Sequence, residues 1–284
     1  MIKRRIGGHV SSAGGFLAAL DRAQAIGANT IQIFGASPVQ WRATLPKKED
    51  ADAFKKECSV RDITPVFLHA PYLINLASPK GELAAMSRTL LEKHTAIAAE
   101  LGAQGVIFHI GSRGERPQDE ARDIVVHALR AILDNTKEGN VIIENNAGAG
   151  NLVGDTIEEI ASIYKGVHSE RVGVCIDTAH AFESGLLSDF SAAAIDVFMN
   201  KIHQEIGVHA LWAVHLNDSK TPAGSKRDRH ENIGEGCIGS KGLARFINHP
   251  ALRQIPLILE VPGFDNKGPD KKNIDRVRLL STSA

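Results

Sequence analysis

Several features that would narrow the class of this 284-residue protein are missing from its sequence. It has only three cysteines, Cys58, Cys175 and Cys237, and their wide spacing indicates neither a disulfide framework nor a metal site built on thiolates. No run of about 18 apolar residues occurs, and no basic start leads into an apolar stretch, so we expect neither a membrane span nor a signal peptide. These absences favour a soluble protein of the reducing cytoplasm.

An excess of charge of one sign is also missing. Lys and Arg together number 33, as do Asp and Glu, so the formal net charge is zero. Any affinity for a nucleic acid must then come from a local patch or from bound cations. No GxxxxGK[ST] motif is present, so we expect no nucleotide cofactor. With 43% hydrophobic residues, the chain can build one large core, and we expect a single domain over residues 1–284.

What the sequence does contain is a repeated alternation of short apolar runs with longer segments of helical period. Helical segments such as Gly81–Leu101 and Gln118–Asn135 lie between the runs, and this order is typical of βα units around a parallel sheet. The eight runs are Arg5–Val10, Thr30–Phe34, Val66–Ala70, Gly105–Ile110, Asn140–Asn145, Val172–Asp177, Leu211–Asn217 and Pro256–Glu260. Eight units predict an α/β fold closed into a (β/α)8 TIM barrel. An open doubly wound sheet is the alternative, and only the number of runs argues against it.

Side chains that can bind metal ions fall at the ends of these runs. Active sites of such barrels lie at the carboxyl ends of the strands, so these residues are predicted to converge. They are His69, His109, Glu144, Asp177, His215 and Glu260. A single histidine or acid at a strand end is more often a structural residue with hydrogen-bond partners. Three of the carboxylates, however, follow apolar stretches, where burial without a partner would cost several kcal/mol.

Two further groups lie in the loops beyond strand ends. His180 follows Asp177 by three residues, and Asp228, Arg229 and His230 lie within the long, Gly-rich loop 216–239. Together the candidates comprise five histidines and four carboxylates, which is too many for one tetrahedral ion but suits three if a carboxylate bridges two. We therefore predict a cluster of three metal ions.

The remaining histidines have no metal-binding partners in register. We expect six of them to be solvated or locally capped: His94, His127, His168, His203, His209 and His249. His9 ends the first run, and its role as a wall residue is at least as plausible as ligation.

Five sequence blocks resemble the signature blocks of the endonuclease IV family. They are HAPYLINLA (69–77), IIENNAGAG (142–150), VGVCIDTAHAF (172–182), HLNDSK (215–220) and DRHENIGEG (228–236). The resemblance extends from GGHVSSAGG (7–15) to PLILEVPG (256–263), so it covers nearly the whole chain.

The resemblance implies a ligand set for each of three Zn²⁺ ions. One ion is assigned to His69, His109 and Glu144, and a second to Glu144, Asp177, His215 and Glu260. The third is assigned to His180, Asp228 and His230. It implies hydrolysis of the DNA backbone 5′ to an abasic site, leaving a 3′-hydroxyl and a 5′-deoxyribose phosphate, with removal of blocking groups from 3′ ends as a second activity. Glu144 and Glu260 are the predicted catalytic carboxylates, the first bridging two ions and the second orienting the attacking water.

The predicted partner is double-stranded DNA with abasic sites or blocked 3′ ends, bound by a monomer. Tyr72 and Leu73 match the family positions that fill the space left by a flipped nucleotide, and Gln40 lies on the neighbouring loop. Lys220 and Arg229 add positive charge beside the cluster. One residue departs from the pattern at this surface, because Val39 stands where the family has an arginine that contacts DNA. Without the resemblance, ordinary loop packing would be the simpler interpretation of Tyr72 and Leu73.

Two other classes of protein fit part of this pattern. A metal-dependent sugar isomerase or epimerase on the same barrel could use Glu144, Asp177, His215 and Glu260. It would leave the other five candidates without a shared purpose. A DNA-damage binding module without catalysis would need the basic loops but not a complete ligand set.

Overall fold

A computed structural model describes residues 3–282 and shows eight parallel strands closed into a barrel. Around the barrel the strands follow one another in chain order, and the last is hydrogen-bonded to the first. The strands are β1 (Ile6–His9), β2 (Ile31–Phe34), β3 (Val66–His69), β4 (Gly105–Phe108), β5 (Val141–Glu144), β6 (Val172–Asp177), β7 (Leu211–His215) and β10 (Leu257–Leu259). The predicted barrel is therefore confirmed, and the open sheet is excluded. Its organisation as a single domain stays a prediction.

Helices surround the barrel and connect successive strands. They are α1 (Phe16–Ile26), α2 (Lys48–Val60), α3 (Gly81–Glu100), α4 (Gln118–Asn135), α5 (Ile157–Val167), α6 (Thr178–Ser184), α7 (Ala192–Glu205), α8 (Gly239–Ile247) and α9 (Lys271–Thr282), with 3₁₀ turns at Val208–Ala210 and Pro250–Leu252. The two helical segments predicted by periodicity match α3 and α4 to within one residue. Over residues 3–282, no helix combines the length and the apolar character that crossing a membrane requires.

The barrel has two apolar layers because side chains alternate between the two faces of a strand. On β3, for example, Phe67 belongs to the cluster inside the barrel, whereas Leu68 packs in the core beneath the helices. The inner cluster consists of Phe67, Ile107, Ile142, Cys175, Ala213 and Ile258. The residue two positions after each of these is one of the six candidate ligands at strand ends. Those ligands therefore form the layer directly above the inner core.

Two local elements were not predicted. Helix α6 begins immediately after β6, and the long seventh loop contains a two-stranded antiparallel ribbon of β8 (Asp218–Ser219) and β9 (His230–Glu231). His180 accordingly lies in the first turn of a helix rather than in a loop. The side chain of Asp177 caps that helix by accepting a hydrogen bond from the His180 backbone N–H at 2.8 Å.

The expectation that His94 is solvated or capped was wrong. His94 lies on the buried face of α3, is 0% exposed, and neither of its ring nitrogens has a hydrogen-bond partner among the described residues. Burial lowers the pKa of His94 to about 4, so the ring is neutral and packs as an apolar group.

Candidate metal centre

All nine predicted ligands lie together at the carboxyl ends of the strands. Six of them line a cavity of about 650 Å³, together with residues such as His9, Phe34, Tyr72 and Arg229, and the six are His69, His109, His180, Asp228, His230 and Glu260. The register between neighbouring strands contributes directly, since it places Asp177 of β6 opposite His215 of β7. Three sets of side chains in this cluster could hold metal ions.

The first set consists of His69, His109 and Glu144. The Nε2 atoms of His69 and His109 lie 3.3 Å and 3.4 Å from Oε2 of Glu144. His69 and Glu144 end β3 and β5, and His109 directly follows β4, so three consecutive barrel strands supply the set.

The second set consists of Glu144, Asp177, His215 and Glu260. Nδ1 of His215 lies 2.8 Å from Oε1 of Glu144, 3.3 Å from Oε2 of Glu260 and 3.9 Å from Oδ2 of Asp177. Glu144 therefore directs one carboxylate oxygen toward each of the first two sets, which is the geometry of a bridging carboxylate.

The loop set consists of His180, Asp228 and His230. Oδ1 of Asp228 lies 3.4 Å from Nε2 of His180 and 3.4 Å from Nε2 of His230, and the two Nε2 atoms are 3.4 Å apart. Asp177 also approaches this set, but its Oδ2 atom is more distant, at 3.7 Å from Nε2 of His230. Asp228 is thus the closer third donor, although its side chain is 59% exposed.

These separations fit zinc. A tetrahedral Zn²⁺ ion with bonds of about 2.0–2.1 Å holds its ligand atoms about 3.4 Å apart. The contacts within the first set and the loop set are 3.3–3.4 Å, and imidazole nitrogen with carboxylate oxygen is a usual donor combination for zinc. The donor types and these separations therefore fit zinc ions in both sets.

The second nitrogen of most of these imidazoles is held by an oxygen acceptor. Nδ1 of His69 lies 2.7 Å from the Ala70 carbonyl oxygen, and Nδ1 of His180 lies 3.0 Å from that of Asn145. Nδ1 of His230 lies 3.3 Å from the Glu260 carbonyl oxygen. A proton donated to the carbonyl leaves the lone pair of Nε2 free for a metal ion. These partners could not be predicted from the sequence, because every residue has a backbone carbonyl and only the fold determines which one lies beside a histidine.

The electrostatics of the site favour bound cations. Burial tends to raise the pKa of Glu144, but His109 and His215 outweigh it and hold that pKa well below its ordinary value. Asp228 is more exposed, and it also has a lowered pKa, because its partial burial is outweighed by its hydrogen bond with His180 and the charge of that ring. Burial tends to lower the pKa of His180, whereas the neighbouring carboxylates raise it well above the usual value. Buried carboxylates that stay ionised require positive charge nearby, as metal ions or as protons on the imidazoles.

Of the predicted DNA-contacting residues, two line the cavity, Tyr72 and Arg229. Tyr72 is 72% exposed, with its ring centroid 5.9 Å from that of Phe34 and 6.0 Å from that of His69. Leu73 is half-buried. The other three, Gln40, Lys220 and Arg229, are exposed, and only Arg229 among them lines the cavity. Their contacts with DNA stay predictions.

Comparison with known proteins places this site in a family context. A family model described as a xylose isomerase-like TIM barrel matches residues 20–280. A protein of Thermosipho africanus named "Probable endonuclease 4" is 39% identical over 276 residues, covering 96% of this chain and 97% of that protein. One of the same name from Haloquadratum walsbyi is 37% identical over 277 residues, covering 97% and 98%.

Solved structures agree. The crystal structure of endonuclease IV from Thermus thermophilus has a TM-score of 0.85 and 31% identity, covering 99% of this chain and 100% of that one. A 3-keto-D-glucoside 4-epimerase from E. coli has a TM-score of 0.68 at 14% identity, with coverage of 99% and 100%, and shows the shared fold alone. The fold and the clustered donors thus define a xylose isomerase-like TIM barrel with a site suited to metal ions. Within that class, the chain belongs to the endonuclease IV family, as the sequence blocks predicted.

Proposed function

We propose that this protein is a zinc-dependent DNA repair endonuclease that hydrolyses the phosphodiester bond 5′ to abasic sites. The products would be a 3′-hydroxyl and a 5′-deoxyribose phosphate, and the same site would remove blocking groups from 3′ ends. Membership of the endonuclease IV family supports a hydrolytic nuclease acting on DNA. The observation that carries the finer proposal is the meeting of three sets of donor side chains at the carboxyl ends of the strands, with Glu144 shared by two of them. We assign one Zn²⁺ to each set, which gives three per chain.

Phosphodiester hydrolysis needs an activated water, neutralised phosphoryl oxygens and a stabilised leaving oxygen. Zinc ions in the three sets would supply a water of lowered pKa and positive charge at both the phosphoryl and the departing 3′-oxygens. Glu144 holds the first two sets at a fixed separation through its two oxygens. Glu260 lies at the cavity wall, where its carboxylate can orient the attacking water and accept its proton. With metal ions bound, the cavity carries positive charge even though the chain is neutral overall.

A sugar isomerase or epimerase on the same barrel is the alternative function. The second set alone would be sufficient for it, and the fold is shared with an epimerase. It would give no role to the loop set, whose three donor atoms lie 3.4 Å from one another. We therefore place it below the nuclease.

Three free cysteines, two of them buried, support a cytoplasmic location, and we propose that the enzyme acts there as a monomer.

Cleavage of a labelled duplex with one abasic site tests this proposal. The zinc-loaded enzyme should cut that strand 5′ to the site and leave a 3′ end that a DNA polymerase extends, while an undamaged duplex of the same sequence stays intact. Removal of metal by a chelator should abolish cleavage, and added zinc should restore it. Undiminished cutting by metal-free protein would overturn the zinc assignment. Epimerisation of a ketose without DNA cleavage would favour the alternative.

A further inference from the structure

Gln32 is a buried polar side chain that the sequence analysis assigned no role. It lies on β2 between Ile31 and Ile33, and both neighbours pack in the core beneath the helices. By strand alternation its own side chain faces the barrel interior, at the level of the candidate ligands. It is 0% exposed and contacts two members of the second set, His215 and Glu260.

The chemistry of these two partners fixes the orientation of the Gln32 amide. Its Nε2 atom lies 2.6 Å from Oε1 of Glu260, and a carboxylate that binds a metal ion can only accept hydrogen bonds, so this end is the NH₂ group. Its Oε1 atom lies 2.8 Å from Nε2 of His215, which must then donate. The opposite orientation would bring two acceptor oxygens together.

Each hydrogen bond leaves one defined atom free for a metal ion. A proton on Nε2 of His215 leaves the lone pair on Nδ1, and Nδ1 is the atom that faces Oε1 of Glu144 at 2.8 Å and Oε2 of Glu260 at 3.3 Å. Engagement of Oε1 of Glu260 likewise leaves Oε2 on the side of His215. His9 lies beside this pair, with its Nδ1 atom 3.0 Å from Nε2 of Gln32 and 3.2 Å from Oε1 of Glu260, so this nitrogen either accepts from Gln32 or donates to Glu260.

We propose that Gln32 is a positioning residue that selects Nδ1 of His215 and Oε2 of Glu260 as ligand atoms of the second set. The inference rests on the metal assignment in the proposed function and deepens it. Partners of this kind typically change metal affinity or activity 10- to 100-fold when they are removed, because the ligand loses its orientation and its preferred tautomer.

The substitution Gln32→Met tests the role while keeping the length of the side chain. It removes the carbonyl and the NH₂ group without opening a large cavity. Thr30→Val is the matched control, because Thr30 is also buried and directly precedes the same strand, and its hydroxyl donates to the Pro65 carbonyl oxygen, outside the candidate ligand sets. Zinc stoichiometry and affinity are measured on both variants and on the wild-type protein by competition with a chelating indicator. Thermal unfolding of the metal-free proteins reports the effect on the fold.

We expect one zinc of Gln32→Met to bind about tenfold or more weakly, and Thr30→Val to bind all ions as the wild type does. Gln32→Asn keeps the amide but is one carbon shorter, so it cannot reach both partners. Its zinc affinity should lie between those of the wild type and Gln32→Met. The visible spectrum of the cobalt(II)-substituted protein should change in Gln32→Met and not in Thr30→Val, because it reports coordination geometry rather than stability.

Equal zinc affinities in wild type, Gln32→Met and Gln32→Asn would overturn the role of Gln32 but leave the metal assignment in place. The same loss in Thr30→Val as in Gln32→Met would also overturn it, since the effect would then be one of general stability. If the wild-type protein itself binds no zinc, the metal assignment fails, and this inference fails with it.

Discussion

The ligands at the strand ends and those of the loop set are held in place by different parts of the fold. His69, Glu144 and His215 end strands of a closed sheet and are at most 2% exposed, so backbone ladders and two apolar layers hold them. In the loop set, Asp228 precedes a two-residue strand and its side chain is 59% exposed. The barrel thus determines two of the three sets, whereas the third takes only His180 from beside a barrel strand and depends on one long loop for Asp228 and His230.

That loop has buried anchors of its own. The carboxylate of Asp218 accepts hydrogen bonds from backbone N–H groups further along the loop, those of Gly234, Gly236, Ile238 and Gly239. On the other side, Oε1 of Glu183 accepts from the hydroxyl of Ser219 at 2.7 Å and from the backbone N–H of Arg229 at 3.2 Å. Arg229 lies between two members of the loop set, so Glu183 ties their backbone to α6. Removal of the ligands alone should therefore leave the loop and the barrel folded.

The largest loss of activity is expected from Asp228→Ala combined with His230→Ala, which removes two ligands of the loop set and leaves the ligands at the strand ends in place. The double variant should bind two zinc ions instead of three and retain its fold, because the barrel core is untouched. Cleavage of an abasic duplex should fall by about three orders of magnitude, because the positive charge proposed for the leaving oxygen is lost. Metal analysis, circular dichroism and cleavage kinetics on one preparation measure all three.

Arg227→Ala is the matched control for the double variant. It changes an exposed side chain of the same loop but no candidate ligand, and it should retain three zinc ions. Three ions in the double variant would show that the ligand assignment is wrong. Two ions with normal cleavage would instead make the loop set a structural site.

The difference between these two parts of the fold also explains what could be predicted. The strand-end ligands were found because the apolar runs ended in His, Asp or Glu, and because barrels place such ends together. The ribbon and α6 were missed because two-residue strands and a seven-residue helix are too short to show a period. For the third ion, the resemblance supplied the ligand set that the loop sequence alone left open.

Two buried polar residues could have been found with a stricter use of periodicity. His94 shares the helical face of Leu90, Leu91 and Ala98, which their spacing of three or four residues from it already indicates. Gln32 interrupts an apolar strand at a position that faces the barrel interior. What the sequence cannot supply is the identity of their neighbours, because His215 and Glu260 reach Gln32 only through closure of the barrel.

A smaller effect is expected from Tyr72→Ala, which tests the mouth of the cavity rather than either group of ligands. Its exposed ring is proposed to fill the space left by a flipped nucleotide, a requirement for an internal abasic site and not for a 3′ end. We expect kcat/KM on an abasic duplex to fall about 10- to 100-fold, and removal of a 3′-terminal phosphate to fall much less. Val197→Ala removes another exposed apolar side chain, on α7, and should change neither rate. Equal losses on both substrates would assign Tyr72 to packing against Phe34 and His69.

The smallest effect is expected from Val39→Arg, which adds one charge to the loop after β2. Val39 is 75% exposed and stands where the family resemblance predicts an arginine, so the substitution should supply about one phosphate contact. DNA affinity should rise modestly at low salt, and the slope of log K against log salt should steepen by about 0.9. Val60→Arg adds the same charge at the end of α2, where the helix reaches the opposite face of the barrel, and should leave the slope unchanged. An unchanged slope in Val39→Arg would mean that this loop does not approach the DNA backbone. DNA binding would then depend on the metal centre and the seventh loop.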